Sequence, residues 1–192
     1  MDICAETRRL RLRRFGEGDG EALVALHGDA EVMRWIDDGR PVAPEVVVGV
    51  ELAGIVREYG ELAEGMGCFA VEEKEQGAFA GWVALRPARS VGLDEGGVEL
   101  GYRMRPGVWG RGYATEAARA VLRKAFTELG VERVEATTMT VNAASRRVLE
   151  KAGLAWVRTF FAQWDEPIEG AEHGDVVYAA ERDAWLRRHD HP

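Results

Sequence analysis

Between a clear strand pattern and a clear helix pattern, residues 105–112 read Arg-Pro-Gly-Val-Trp-Gly-Arg-Gly. This glycine-rich turn constrains the chain more than any other feature. Upstream, Val98, Leu100, Tyr102 and Met104 alternate with Glu99, Gly101 and Arg103, the period of a strand with two distinct faces. Downstream, Ala114, Ala117, Ala118, Val121, Leu122, Ala125, Phe126 and Leu129 recur at the spacing of one apolar helical stripe. Gly130 stands where a C-terminal cap belongs. A second strand pattern follows at Val134 to Val141. Strand, helix and strand make a βαβ unit, so the two strands lie parallel and the crossover is right-handed.

The rest of the chain surrounds this unit. Leu10 and Leu12 alternate with arginines between Arg8 and Arg14, which reads as an edge strand with solvated arginines in preference to a nucleic-acid patch. Glu21 to His27, Asp29 to Trp35 and, after Pro41 and Pro44, Glu45 to Tyr59 are helical. Cys68 to Glu72 and Phe79 to Leu85 form a hairpin around Lys74-Glu75-Gln76-Gly77. A loop carrying Gly92, Gly96 and Gly97 leads into the βαβ unit. Asn142 or a near neighbour caps a helix that Gly153 stops after Ala152. Leu154 to Gln163 and Asp175 to Ala180 complete the strands, and a terminal helix runs from Glu181 towards His189-Asp190-His191. The expected fold is an α/β (α+β) single domain over residues 1–192: a mostly antiparallel mixed sheet with one parallel βαβ pair and helices on both faces.

Composition removes several functions. The 192 residues suit one domain with a sizeable core. Lys plus Arg number 25 against 33 Asp plus Glu, a net charge of −8 that disfavours nucleic acid as a partner. No apolar run spans a bilayer, and Met1 to Arg14 lacks an apolar signal region, which predicts a cytoplasmic protein without membrane contact. The 2 cysteines, Cys4 and Cys68, exclude a disulfide framework and a four-cysteine zinc site. The 4 histidines lack ligand spacing, so no metal is expected.

A glycine turn at a helix N-terminus lets backbone N–H groups converge on an anion, and the helix dipole adds to the attraction. Arg111 can add charge at the rim. A Walker loop needs Gly-Lys-Ser/Thr, which is absent. A dinucleotide fingerprint fits Gly110 and Gly112 but finds Thr115 where its third glycine belongs. Taken alone, the turn reads equally as a tight connection.

Three stretches together go further: Glu99-Leu100-Gly101-Tyr102, then Trp109-Gly110-Arg111-Gly112-Tyr113-Ala114-Thr115-Glu116-Ala117, then Asn142 to Gly153. They resemble the GNAT superfamily of N-acetyltransferases, in the branch named for enzymes that acetylate ribosomal-protein N-termini. Thr7 to Arg13 fits the same branch. The resemblance implies a GNAT-like fold, acetyl-CoA as cosubstrate and an amine acceptor, either a small molecule or a protein N-terminus. Gly112 and Ala114 match the fourth and sixth places of the superfamily's pyrophosphate loop. Trp109 stands in the first, where Gln or Arg is usual. The backbone of Arg111 to Thr115 is expected at the phosphates, with Gly110 and Tyr113 in the same turn. The strand of Tyr102, Arg103 and Met104 is expected beside the pantetheine arm, its N–H groups facing the oxyanion, with Asn142 hydrogen-bonded to that arm.

Acetyl transfer needs a neutral amine, a stabilised oxyanion and a proton for the leaving thiolate. The resemblance makes Glu99 the candidate base, directly or through water; its alternative is a solvent-facing glutamate or a partner of Arg103. The superfamily's usual proton-donating tyrosine falls on Leu149, which has no proton to give. Ser145 is the candidate donor in its place, against a plain first-turn helix serine. Trp35 and Trp164 are expected to flank the acceptor, beside an acidic loop from Trp164 to Gly174. Trp82, Trp156 and Trp185 are expected in packing roles. A non-catalytic acyl-CoA-binding domain on the same scaffold is the rival; Glu99 and Ser145 favour the enzyme. Monomer and homodimer both stay open.

Overall fold

The computed structural model describes residues 2–88, 93, 97–163 and 166–189. Gly92, Gly96, Trp164 and His191 lie outside the described residues. In chain order the elements are strands β1 (Ile3–Glu6) and β2 (Leu10–Arg14), helices α1 (Gly20–His27), α2 (Ala30–Met33), α3 (Pro44–Val46) and α4 (Ala53–Glu61), and strands β3 (Gly67–Glu73), β4 (Phe79–Pro87) and β5 (Val98–Met104). Then come α5 (Tyr113–Thr127), β6 (Arg133–Met139), α6 (Ala143–Ala152), β7 (Ala155–Phe160), β8 (Asp175–Glu181) and α7 (Arg182–His189). A π-helical turn, Val47–Leu52, joins α3 to α4.

The strands form one 8-stranded sheet in the order β1-β2-β3-β4-β5-β6-β8-β7. Neighbours are antiparallel except β5 and β6, which run parallel with α5 as their crossover. Strand alternation sends Phe69 and Val71 of β3 to a core built on Ala118, Val121, Leu122 and Phe126 of α5. It sends Cys68 and Ala70 to the opposite core, with Leu23 and Leu26 of α1, Val32 of α2 and Leu52. Helices therefore cover both faces. Burying a side chain such as Leu122 or Phe126 contributes about 1.5–3 kcal/mol.

Three expectations change. β2 is not the edge, because the short β1 pairs with it outside. The β2 arginines are ion-paired more than solvated: Arg13 reaches Asp19 at 2.6 Å and Glu72 at 2.7 Å, and Arg11 reaches Glu6 at 3.1 Å. Trp156 does not pack inside; it sits on the edge strand β7 beside a bulge and is 56% exposed. Trp185 is buried as expected, and His189 stacks on it at 4.7 Å.

One feature of the sheet positions the site. β5 and β6 pair only at Val98–Val134 and Glu99–Glu135. Beyond Glu99 the two strands separate, while β6 stays fully paired with β8 on its other side. The sheet thus opens into a wedge along Leu100 to Met104. Gly81 lets β4 follow β5 closely at that point: its φ is +143°, and a Cβ there would stand 2.1 Å from Arg103 O.

Candidate active site

The wedge opens into a cleft of about 480 Å³. Tyr102 comes from β5, Thr137, Thr138 and Met139 from β6, and Asn142 and Ser145 from the start of α6. Phe160 and Asp175 enter where β7 meets β8, and Trp35, Ile36 and Asp37 follow α2. Ile168 and Ala171 close the rim. A more open groove of about 730 Å³, lined among the described residues by residues between 162 and 172, shares Ile168 and Ala171 with the cleft rim and takes no residue from β5 or β6.

The glycine turn follows directly on the open end of β5, after Met104. Gly110 and Gly112 adopt φ values of +74° and +80°, which L side chains rarely take. Neither is crowded: a Cβ at Gly110 meets nothing within 4 Å, and one at Gly112 meets only Arg9 Nη2 at 3.5 Å. Their need for glycine is conformational. Gly112 caps α5 without a side chain. The Arg111 N–H closes the turn on Val108 O at 3.3 Å, and the Glu116 N–H takes Gly112 O at 3.0 Å. The first-turn N–H groups of Tyr113, Ala114 and Thr115 therefore point out of the helix end without helical acceptors.

Side chains around the turn are committed. Arg111 Nη2 reaches Glu73 at 3.3 Å, Arg105 reaches the same carboxylate at 3.1 Å, and the Tyr113 hydroxyl donates to it at 2.9 Å. Arg9 donates to Arg111 O at 2.9 Å and pairs with Glu116 at 2.6 Å. Trp109 Nε1 donates to Met104 O at 2.7 Å, so this indole ties the turn to the end of β5. That is a structural use for the position where the superfamily carries Gln or Arg.

In the cleft the Tyr102 hydroxyl lies 2.9 Å from Ser145 Oγ and donates to Ser145 O at 3.0 Å. Burial pushes the Tyr102 phenol well above its ordinary value, so it stays a neutral donor. Asn142 accepts the Ser145 N–H on Oδ1 at 3.1 Å, capping α6 and fixing Ser145 in its first turn. Its amide nitrogen makes no hydrogen bond among the described residues. Leu149 is 1% exposed in the core, so a hydroxyl at this position would be buried away from the cleft.

The remaining candidates divide. Trp35 lines the cleft, with the Arg34 guanidinium 4.3 Å over its ring. Trp164 lies outside the described residues, and of its loop only Ile168 and Ala171 reach the cleft. Glu169 pairs with Arg34 at 3.2 Å. Glu99 sits at the paired end of β5, opposite Arg86 and Glu135, and is not among the residues lining the cleft. The Arg105 N–H bonds Ala80 O at 3.0 Å. By strand alternation the Arg103 N–H also faces β4, while those of Tyr102 and Met104 face the wedge. The Arg103 side chain turns to Met33 Sδ, 3.3 Å away, and lies 5.3 Å from the Trp82 ring.

A sequence model of the family described as "Acetyltransferase (GNAT) domain" matches residues 9–155. The chain belongs to the GNAT acetyltransferase family. A relative from Aspergillus fumigatus, FsC-acetyl coenzyme A-N(2)-transacetylase, is 37% identical over 94% of this chain and 77% of its own. An acetyltransferase of the GNAT family from Bacillus anthracis superposes with a TM-score of 0.74 at 25% identity, covering 95% of this chain and 99% of that one. RimL, a ribosomal-protein alpha-N-acetyltransferase solved with coenzyme A, gives a TM-score of 0.75 at 18% identity, with 95% and 99% coverage. At that identity the likeness to RimL is one of GNAT fold. Among the described residues no helix is long and apolar enough to cross a membrane.

Two cleft groups had no sequence signal. The Tyr102 hydroxyl needs β5 and α6 side by side before it meets Ser145. Asp175 looks like any strand-start aspartate until β6 and β7 enclose it.

Proposed function

We propose that this GNAT protein transfers the acetyl group of acetyl-CoA to a primary amine, on a small molecule or a protein N-terminus, by direct attack in a ternary complex. The observation that carries this reading is the wedge between β5 and β6, with an uncapped helix start at one end and a hydroxyl pair in the cleft. In this reading the pyrophosphate lies over the turn from Gly110 to Thr115 and takes the N–H groups of Tyr113, Ala114 and Thr115, where helix dipole and backbone donors act together. The pantetheine arm lies along β5 and uses the free amide of Asn142. The N–H groups of Tyr102 and Met104 receive the oxyanion that forms at the acetyl carbonyl. Ser145 gives the leaving sulfur its proton, and the Tyr102 hydroxyl, turning its one hydrogen from Ser145 O to Oγ, supports the serine oxygen. Glu99, beyond the cleft lining, reaches the amine only through water. Trp35 forms one wall of the acceptor site. The transacetylase relative supports nitrogen as the atom acetylated.

Titration calorimetry with acetyl-CoA tests the coenzyme half. Gly112→Val forces a β-branched residue into a left-handed conformation and puts a side chain at the phosphate approach. The parent binds, and the variant binds at least ~10-fold more weakly, about 1.4 kcal/mol. Equal affinity with an intact fold contradicts this placement.

A further inference from the structure

We propose that Asp175 takes a proton directly from a cationic primary amine seated in the cleft. The inference rests on the acetyl-transfer reading and adds to it the base and the charge of the acceptor. A turn builds the position. Gly174 has a φ of +70°, and a Cβ there would stand 2.6 Å from Phe160 O, so only glycine fits. The Thr140 N–H holds Gly174 O at 2.9 Å. Asp175 is thereby fixed between Met139 and Phe160, its register partners on β6 and β7, and all three residues line the cleft with Tyr102 and Ser145.

Two further observations separate Asp175 from a structural carboxylate. Its carboxylate makes no hydrogen bond or ion pair among the described residues, and burial pushes the carboxyl above the usual carboxylate range. Asp19 and Glu116 are also partly buried, but hydrogen bonds from Arg13 and from Thr7 and Arg9 outweigh that burial and pull them down. The charged and titratable groups around Asp175 are accounted for. Asp37 and Tyr102 share the cleft. Arg158 lies 5.5 Å from the Phe160 ring, and Arg146 is spent on Thr140 O and Tyr178. Glu172 pairs with His173 at 3.5 Å. Among the described residues no Lys, Arg or His lines the cleft, and the two carboxylates there, Asp37 and Asp175, favour a cation. Trp35, Ile36 and Phe160 suit an apolar carrier of that cation.

The step balances without a further reagent. The ammonium loses one proton to Asp175, and its lone pair forms the C–N bond at the acetyl carbonyl. The nitrogen sheds a second proton as the C–S bond breaks; it resupplies Ser145, which has given its own proton to the departing sulfur. Asp175 releases the first proton to water, and the net products are amide, thiol and one proton.

The test is a set of pH profiles of kcat/KM, read by thiol release, for the parent, Asp175→Asn, Asp175→Glu and Glu99→Gln. The probes are phenethylamine, putrescine and a peptide with a free N-terminus, each with acetyl-CoA, alongside coenzyme affinity by calorimetry. The parent is expected to lose activity as pH falls through the raised carboxyl value. Asp175→Asn loses at least ~10²-fold near pH 7 and recovers as pH rises and the amine arrives neutral. Asp175→Glu restores part of the rate with an acidic limb, and acetyl-CoA affinity is unchanged. The folded value is raised, so the carboxyl's stabilising contribution is full below its unfolded value and lost as pH rises through the folded one. Asp175→Asn therefore melts no lower than the parent at pH 7. A parent-like pH profile in Asp175→Asn overturns the proposal, as does an acidic limb that Glu99→Gln abolishes and Asp175→Asn keeps. A parent with no amine-dependent thiol release on any probe overturns the acetyl-transfer reading itself.

Discussion

Removing one oxygen atom, in Tyr102→Phe, separates a hydroxyl pair that works as a unit from two hydroxyls that merely touch. The Tyr102 phenol makes contacts of 2.9 and 3.0 Å, both to Ser145. Its loss as a neutral hydrogen bond costs about 1 kcal/mol of stability, or roughly 2–4 °C in Tm for a chain of this size. Its cost to turnover is larger. When Ser145 gives its proton to the sulfur, charge develops on Oγ, and a hydrogen bond to a charged oxygen contributes about 1.5–3 kcal/mol. That corresponds to roughly 10–100-fold in kcat. Ser145→Ala removes the donor itself and lowers kcat by ~10²-fold, the low end for general acid catalysis, because a thiolate with a pKa of about 8.5 departs partly unaided. Tyr102 acts through Ser145, so the double variant falls no further than Ser145→Ala alone. The assay is steady-state thiol release by the parent, both single variants and the double variant, with acetyl-CoA affinity measured beside it. A double variant slowed by the product of the two single effects refutes the pairing, as does full turnover in Tyr102→Phe.

Two predictions concern the frame of the site. Arg13→Ala leaves Asp19 and Glu72 facing each other without their shared cation, which costs about 3 kcal/mol and lowers Tm by roughly 6–12 °C. Burial raises the Asp19 carboxyl but Arg13 and the Gly16 N–H pull it below the usual range, so this stability is present above the unfolded value and lost as pH falls through the folded one. Parent and variant melting curves therefore converge in acid, and a constant gap contradicts the assignment. Gly81→Ala pushes a Cβ against Arg103 O and Met104 Cα, 2.1 and 2.7 Å away, so β4 and β5 must part beside the cleft. It lowers stability by more than the ~1–3 kcal/mol of backbone strain alone, and parent-like melting refutes the close approach.

The sequence exposes what depends on period and punctuation. The α5 stripe, the alternation of β5, the Asn142 cap and the Gly153 stop all appear in the structure within a residue or two. What depends on a neighbour stayed hidden. β1 is four residues, Ile-Cys-Ala-Glu, too short to show a period, and its absence from the reading made β2 look like the edge. Trp156 carries a core-type side chain on a strand whose outer edge has no partner strand, so burial could not be read from residue type. The turn was legible as glycine, but the work of Trp109 was not: its indole reaches back to Met104 O, a contact set by the fold of the turn. The hydroxyl pair and Asp175 are juxtapositions of elements far apart in sequence. Ser145 was found through the missing tyrosine at Leu149, and Tyr102 was expected only for its backbone beside the coenzyme; its hydroxyl's partner and Asp175 required the cleft.

The central claim is that this cleft moves acetyl from acetyl-CoA to an amine. Thiol release and mass spectrometry of the amine, measured together over a panel of primary amines and peptide N-termini, test it most directly. Amine-dependent thiol release is expected, matched by one acetyl group gained on nitrogen and saturating in both substrates. Tight acetyl-CoA binding with no amine acetylated across the panel would contradict it and leave a coenzyme-binding domain in its place.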